Sequence, residues 1–352
     1  MKCRKEALYD VVAPTSMGLR MAPDGRQQIS ISNRFTMQAT SAESNVLSVP
    51  AALGCRTKVL TAFVKGSPIS GFIRAQLRAR GIAYEGPERE SGGPWGLRHQ
   101  INFAESGFGV RGARVYNDRA GEVGRTLDLE DFDLEKLFVR DGVKILHMSG
   151  LIAALSPQTG KFCLELARMA KQTGTLISFD MNYRESFWKG RQEELTEIFS
   201  RIASEADILM NFQPMDENGH LLPLALDPER PGTFRDMLRQ VRARYPDAYL
   251  LTSTIRGELD AGENLWGAVM LAGEDWYTEE PRRIAVLDRI GGGDGFASGV
   301  LYGILRGYEP GDWIRLGWAC GAMAVTTPND YAQPDDEQML RQIYSGNARI
   351  SR

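Results

Sequence analysis

Apolar residues along the chain switch repeatedly between short runs and helical spacing, and this alternation predicts the elements. Tyr9 to Ala13 reads as a strand, with Met17 to Met21 continuing it or opening another. After the turn Pro23-Asp24-Gly25, the alternating Gln27 to Asn33 predicts a second strand. Lys58 to Val64 predicts a strand and Ile69 to Gly81 a helix closed by its glycine. Further strands are expected at Val143–Gly150, Thr175–Asp180, Ala206–Asn211 and Tyr249–Arg256, with helices at Pro157–Gly174 and Gly232–Arg244. Leu129 to Phe138 predicts a polar helix, and Trp266 to Leu271 with Asp275 to Thr278 an edge hairpin. A small-residue helix is expected from Asp312 to Thr327, fit for tight helix packing or for a place beside a nucleotide; order is expected to fade after Ile343. Strands alternating with helices at this spacing imply a mostly parallel α/β sheet flanked by helices.

Between residues 96 and 125 the pattern changes. His99–Glu105, Ser106–Gly112 and Ala113–Arg119 suggest hairpin strands without helices to cover them. With Met17–Met21 and Gln27–Asn33 they predict a small β-sheet lid, contributed by about residues 14–37 and 96–125 of a single domain spanning 1–352. A helix-free sheet leaves one face apolar and exposed, so pairing of two lids in a homodimer is expected.

Composition narrows the classes. The 352 residues carry 42 basic and 45 acidic side chains, net charge -3, with no like-charge block, so neither nucleic acid nor a membrane surface is an expected partner. No apolar run approaches the roughly 20 residues of a membrane span. The apolar stretch after the basic start is short for a signal-peptide core. Four scattered cysteines and three dispersed histidines show no metal-ligand spacing and suggest a reduced, cytoplasmic setting.

The chemistry concentrates at Val286-Leu-Asp-Arg-Ile-Gly-Gly-Gly-Asp294, which runs into a helix marked by Phe296, Val300, Leu301 and Ile304. Glycines at a loop–helix junction let the backbone approach a ligand, and amides at a helix N-terminus favour an anion. By itself Gly-Gly-Gly-Asp fits a ligand-free helix cap equally well. Asp294 makes chemical sense beside an anion if it takes a proton from an attacking hydroxyl.

Asp288-Arg-Ile-Gly-Gly-Gly-Asp294 resembles the C-terminal signature D-T-x-G-A-G-D of the ribokinase-like (PfkB) carbohydrate kinases, in the D-R-x-G-G-G-D form of the 2-keto-3-deoxygluconate kinase branch. Thr36 to Gly54 is similar to the first family signature, matching at Ala42, Asn45, Leu53 and Gly54 but with Thr40 and Ser41 in place of its two glycines. Pro50 falls inside the expected helix, which should kink or start later. Asp180-Met-Asn-Tyr-Arg184 is similar to F-D-x-N-x-R, and Ser253-Thr-Ile-Arg256 to a T-T-L-R segment. The family's N-x-x-E is broken: Asn211 matches, Pro214 replaces the glutamate, and Asp216 and Glu217 lie just beyond.

The resemblance implies a ribokinase-like fold and ATP-dependent phosphorylation of a sugar or sugar acid, with Mg2+ on the nucleotide. It implies Asp294 as base and the amides of Gly291, Gly292 and Gly293 as the anion hole. Thr40, Ser41, Asn45, Tyr116, Arg119 and Arg184 would hold the sugar, Arg184 taking a carboxylate. Asn182, Asn211, Ser253, Arg256, Asp288, Arg289 and Asn329 would hold the nucleotide; no metal ligands are assigned. Three readings stay open: a sugar-acid kinase, a neutral-sugar kinase of the fructose or ribose type, and a binding protein without turnover.

Overall fold

A computed structural model describes residues 1–216, 218 and 220–346. Among these residues nine strands form the main sheet, in the order Asp275–Ala285, Glu263–Ala272, Leu250–Asp260, Ile208–Met210, Leu176–Asp180, Val143–Ser149, Tyr9–Pro14, Thr57–Leu60 and Ile82–Glu85. From Leu250–Asp260 onward neighbours pair in parallel; the first two pairings are antiparallel. Strand residues alternate between two buried clusters: Val12, Leu146 and Leu209 enter one, Val11, Ile145 and Ile208 the other. A strand buried on both faces needs this two-sided apolar pattern, with helices on each side.

One cluster is covered by helices Pro157–Gln172, Gln192–Glu205 and Pro231–Arg244, the other by Pro68–Ala79, Gly292–Leu305 and Pro310–Val325. The last two helices pack through their small residues. A Cβ on Gly299 would come within 2.4 Å of the Leu316 carbonyl, and one on Gly295 within 2.6 Å of the Cys320 carbonyl. Gly317 of the second helix is as tight, a Cβ there meeting Val300 at 2.8 Å, so small residues of 310–325 serve helix packing.

The predicted Leu129–Phe138 helix is not formed as such: a 3-10 turn at Leu129–Asp131 precedes a π-helical Lys136–Asp141. Asp128 and Asp131 cap each other's backbone at the start of that 3-10 turn. The last helix, Glu337–Ser345, runs past Ile343, and the remaining end of the expected loose tail lies outside the described residues.

The lid is a separate sheet of four strands, in the order Phe35–Thr40, Gly18–Pro23, Ile101–Glu105 and Arg114–Asp118. Gln27–Asn33 is not one of them; it is a turn-rich connection after the short helical turn Asp24–Arg26, and Phe35–Thr40 supplies the strand instead. Alternation within Gln27–Asn33 carried no apolar side chain toward a core; Ile31 is exposed.

The expected helix after Thr40 is split into Ala42–Val46 and Ser48–Ala52. Pro50 lacks the amide that would bond the Val46 carbonyl in a continuous helix. The Ser298 hydroxyl donates to that carbonyl at 2.6 Å and accepts the Val49 amide at 3.2 Å. A side chain from Gly292–Leu305 thus replaces the missing bond.

Candidate active site

Asp294 lies in the first turn of Gly292–Leu305, which starts at Gly291 in the left-handed region, φ 87°. A side chain at Gly291 has no room: a Cβ would come within 1.9 Å of the Asp330 carbonyl. Among the described residues no side chain caps this helix. The amides of its first turn have no partner within a helix, so they point outward as free donors.

Two concavities meet at this turn. One lies under the lid and is walled by Thr40, Ser41, Asn45, Asn102, Arg119 and Asp330, among others. The other is a groove beyond the glycines, walled by Asn182, Asn211, Ser253, Arg256, Arg289 and Gly291–Gly293, among others. Arg184, Ile290 and Asp294 belong to both walls.

Asn45 Nδ2 donates to Asp294 Oδ2 at 3.0 Å. Burial pushes the Asp294 carboxyl up to about 8; the Asn45 bond and Arg184 pull it down, while Asp180 and Asp330 push it further up. A carboxyl tuned this way exchanges protons near neutral pH, as a general base requires. Asp180, 3% exposed, is likewise raised by burial, to about 6, against hydrogen bonds from the Asn182 amide and Asn211 side chain. Asn182 and Asn211 both hold positive φ, 40° and 53°, at the ends of adjacent parallel strands. Ligands sit at such strand ends in open α/β sheets.

The cavity under the lid is built for a ligand rich in oxygens. Arg20 Nε, Asn45 Oδ1, Gln100 Oε1, Asn102 Oδ1, Arg119 Nε and Asp330 Oδ1 are buried without partners among the described residues, and all six residues line it. Buried polar atoms in folded proteins are nearly always satisfied, so this concentration marks places kept for ligand oxygens. The lid's register explains its inner wall. Gln38, Arg20, Asn102 and Asn117 stand opposite one another across the four strands, one step from the outward row Met37, Met21, Phe103 and Tyr116.

That parity moves Tyr116 from its expected place. It is 66% exposed and packs near Phe103 on the outer face, while Val115 and Asn117 line the cavity. Arg119 reaches the wall, but its guanidinium is bound to the buried Glu122 at 2.8 and 3.0 Å. Arg184 makes no ion pair among the described residues and is exposed, so it alone of these two keeps its charge for a ligand.

On the nucleotide side two expected residues are elsewhere. Asp288 is 2% exposed and pairs with Arg20 of the lid, also accepting from Ser106 at 2.7 Å. Asn329 accepts from Gln38 of the lid at 3.1 Å and does not line the groove. Asp288 came from a motif shared as a string, and a string does not say which of its side chains turn toward the lid. Arg289 does line the groove, held by Glu258 at 2.8 Å.

Thr40 and Ser41 both border the cavity. Thr40 donates to Asp330, and Ser41 caps the Ala42–Val46 helix through Ser44 at 3.1 Å. Asp330, Gln100, Asn102 and Asn117 were missed from sequence: lone polar residues signal nothing until pairing aligns them. Asp216 accepts the amides of Asn218 and His220 at 2.9 Å and is absent from the groove wall, so it does not stand in for the lost glutamate; Glu217 lies outside the described residues.

Comparison with known proteins agrees with this geometry. The model of the pfkB family of carbohydrate kinases matches residues 267–337, the segment that holds the glycine turn. The structure of 2-dehydro-3-deoxygluconokinase from Thermotoga maritima superposes with a TM-score of 0.83 at 23% identity, covering 96% of this chain and 100% of the other. Fold, glycine turn and the family match over 267–337 liken the chain to one class, the PfkB carbohydrate kinases with the ribokinase-like fold. Within it the chain is 24% identical to 2-dehydro-3-deoxygalactonokinase of Haloferax volcanii over 343 residues, 95% of this chain and 96% of the relative. It is 28% identical to 2-dehydro-3-deoxygluconokinase of Bacillus subtilis over 298 residues, 84% and 83% of the two chains.

Proposed function

We propose that the protein phosphorylates a hydroxyl of a sugar acid with ATP, and that 2-dehydro-3-deoxygluconate (2-keto-3-deoxygluconate) is the acceptor, giving its 6-phosphate. The observation that carries this reading is the place of Asp294, on the shared wall of a polar cavity and a groove. A sugar hydroxyl from the cavity would lose its proton to Asp294 as its oxygen attacks the terminal phosphoryl group in the groove. One oxygen–phosphorus bond forms, the bond to the leaving ADP breaks, and the amides of Gly291–Gly293 stabilise the charge on the group in transit. Arg184, without a carboxylate partner among the described residues, suits the acid end of the substrate through a planar two-bond fork.

Magnesium would arrive on the nucleotide and neutralise its phosphates. Asp180 and the buried, unpartnered Asn182 Oδ1 are oxygens that fit it on the groove side. Among the described residues no cluster of three or more acidic, histidine or cysteine side chains is present, which fits a metal brought by the substrate.

The outward row Met37, Met21, Phe103 and Tyr116 supports a homodimer in which lid faces lid, within a single domain carrying that lid. Four free cysteines suit a reducing compartment, so a cytoplasmic setting belongs to this reading; no helix of the described residues is long and apolar enough to cross a membrane. The test is ATP consumption with 2-dehydro-3-deoxygluconate, its galactonate counterpart, fructose and ribose. Turnover is expected with the sugar acids. ATP binding without transfer to any of them would establish a binding protein instead.

A further inference from the structure

Two of the strips where the lid meets the body, 288–290 and 328–330, flank Gly291. Arg20 links both: its Nη2 pairs with Asp288 Oδ2, and its Nη1 donates to the Pro328 carbonyl at 3.2 Å. Ser106, also of the lid, donates to the same Asp288 oxygen at 2.7 Å. The other oxygen, Oδ1, accepts the Ile290 amide at 3.0 Å, one residue before the glycine turn. Arg20 is 1% exposed, stands in the cavity wall, and leaves its Nε–H without a partner.

We propose that Arg20 is a positioning residue for phosphoryl transfer: its free Nε–H takes an oxygen of the bound sugar, and its Nη2 carries that engagement through Asp288 and Ile290 into the glycine turn. The guanidinium is a rigid plane, so an oxygen held at Nε fixes the direction in which Nη2 meets Asp288. The carboxylate then sets where the amide of Ile290, and the turn behind it, can sit. A continuous chain of hydrogen bonds between lid and anion hole is the physical link such coupling needs. The inference rests on the kinase reading.

Arg20→Lys tests it, because lysine keeps the charge beside Asp288 and loses the plane. Its kcat with 2-dehydro-3-deoxygluconate should fall roughly 10- to 100-fold, the loss of one charge-assisted bond in the transition state. The dissociation constant of ATP alone should stay within about threefold, since the groove is walled by other residues. Asp288→Asn in the Arg20→Lys background should cost little more, because both act along one path. Hydrogen exchange gives a readout independent of turnover: the sugar should slow exchange at Ile290–Gly293 in the parent and not in Arg20→Lys. Parental kcat in Arg20→Lys, or equal sugar protection in both proteins, overturns the proposal. Absent transfer by the parent strikes the kinase reading, while exchange at Ile290–Gly293, with the sugar and in the free proteins, still decides the coupling. Should Arg20→Lys fail to fold, Ser106→Ala, which removes one hydroxyl from the same oxygen, carries the same comparison with a smaller effect.

Discussion

Asn45 donates a hydrogen bond of 3.0 Å to Asp294, tying the helix that borders the sugar cavity to the helix that presents the glycine turn. The bond favours the ionised carboxylate, against burial and two neighbouring acids that favour the proton. The carboxyl is therefore balanced near neutrality, with Asn45 and Arg184 on one side and burial with the two acids on the other.

That balance sets a pH profile. With the Asp294 carboxyl raised to about 8, kcat/KM should climb with pH and level off above about 8. Asn45→Ala removes a group that lowers the value and should move the rising limb to higher pH. A flat profile between pH 6 and 9 in the parent would count against Asp294 as the base.

Asp294→Asn should keep ATP binding and lose roughly 10²- to 10⁴-fold in kcat. It should also change stability in a definite direction. A carboxyl raised by folding holds its proton from its ordinary range up to about 8, so the native state binds more protons there and stability falls as pH rises through that window. The asparagine variant lacks this loss. Its melting temperature should therefore exceed the parent's above pH 8, measured by thermal unfolding across pH.

Arg184→Met should lower kcat/KM for a sugar acid by roughly 10- to 100-fold, as expected for a lost charge-assisted bond. A neutral sugar should suffer less. Equal losses on both substrate types would show that Arg184 does not read the carboxylate.

Gly291→Ala should lose roughly 10²- to 10³-fold in kcat, the scale of one lost anion-hole donor. Its Cβ would meet the Asp330 carbonyl at 1.9 Å from a left-handed backbone, so the turn must shift. Steady-state rates beside circular dichroism separate a displaced turn from an unfolded chain.

Met37→Asp puts a charge at one end of the lid's outward apolar row. Sedimentation should then give a monomer where the parent sediments as a dimer. A parent that is monomeric at micromolar concentration removes the basis for lid pairing.

Much of the architecture was legible because central strands of the main sheet, such as Val143–Ser149 and Leu176–Asp180, are largely apolar runs, the mark of burial on both faces. Lid strands bury one face only, and their weaker alternation misplaced one of them onto Gln27–Asn33. The site divided similarly. Asp294, Asn45, Arg184 and the glycines sit in motifs whose spacing survives folding. Tyr116 was displaced by the period of two along a strand, where a one-residue difference reverses the face. Asp330, Asn102 and Asn117 come from distant strands and loops, and only pairing across the lid and its closure on the body brings them to one wall.

Pro50 and Ser298 should be inherited as a pair. The proline leaves the Val46 carbonyl bare, and the serine that covers it sits one helical turn beyond Asp294, just as Val46 follows Asn45. Ser298→Ala would strip partners from the Val46 carbonyl and the Val49 amide, each about 1–3 kcal/mol when buried. It would also loosen the alignment of the base with its amide partner. Replacing Pro50 alone would supply a rival donor for the same carbonyl and free the serine to turn away. Sequence change at either position is thus conditional on the other, and the site's register has been made to depend on a residue that a helix would ordinarily reject.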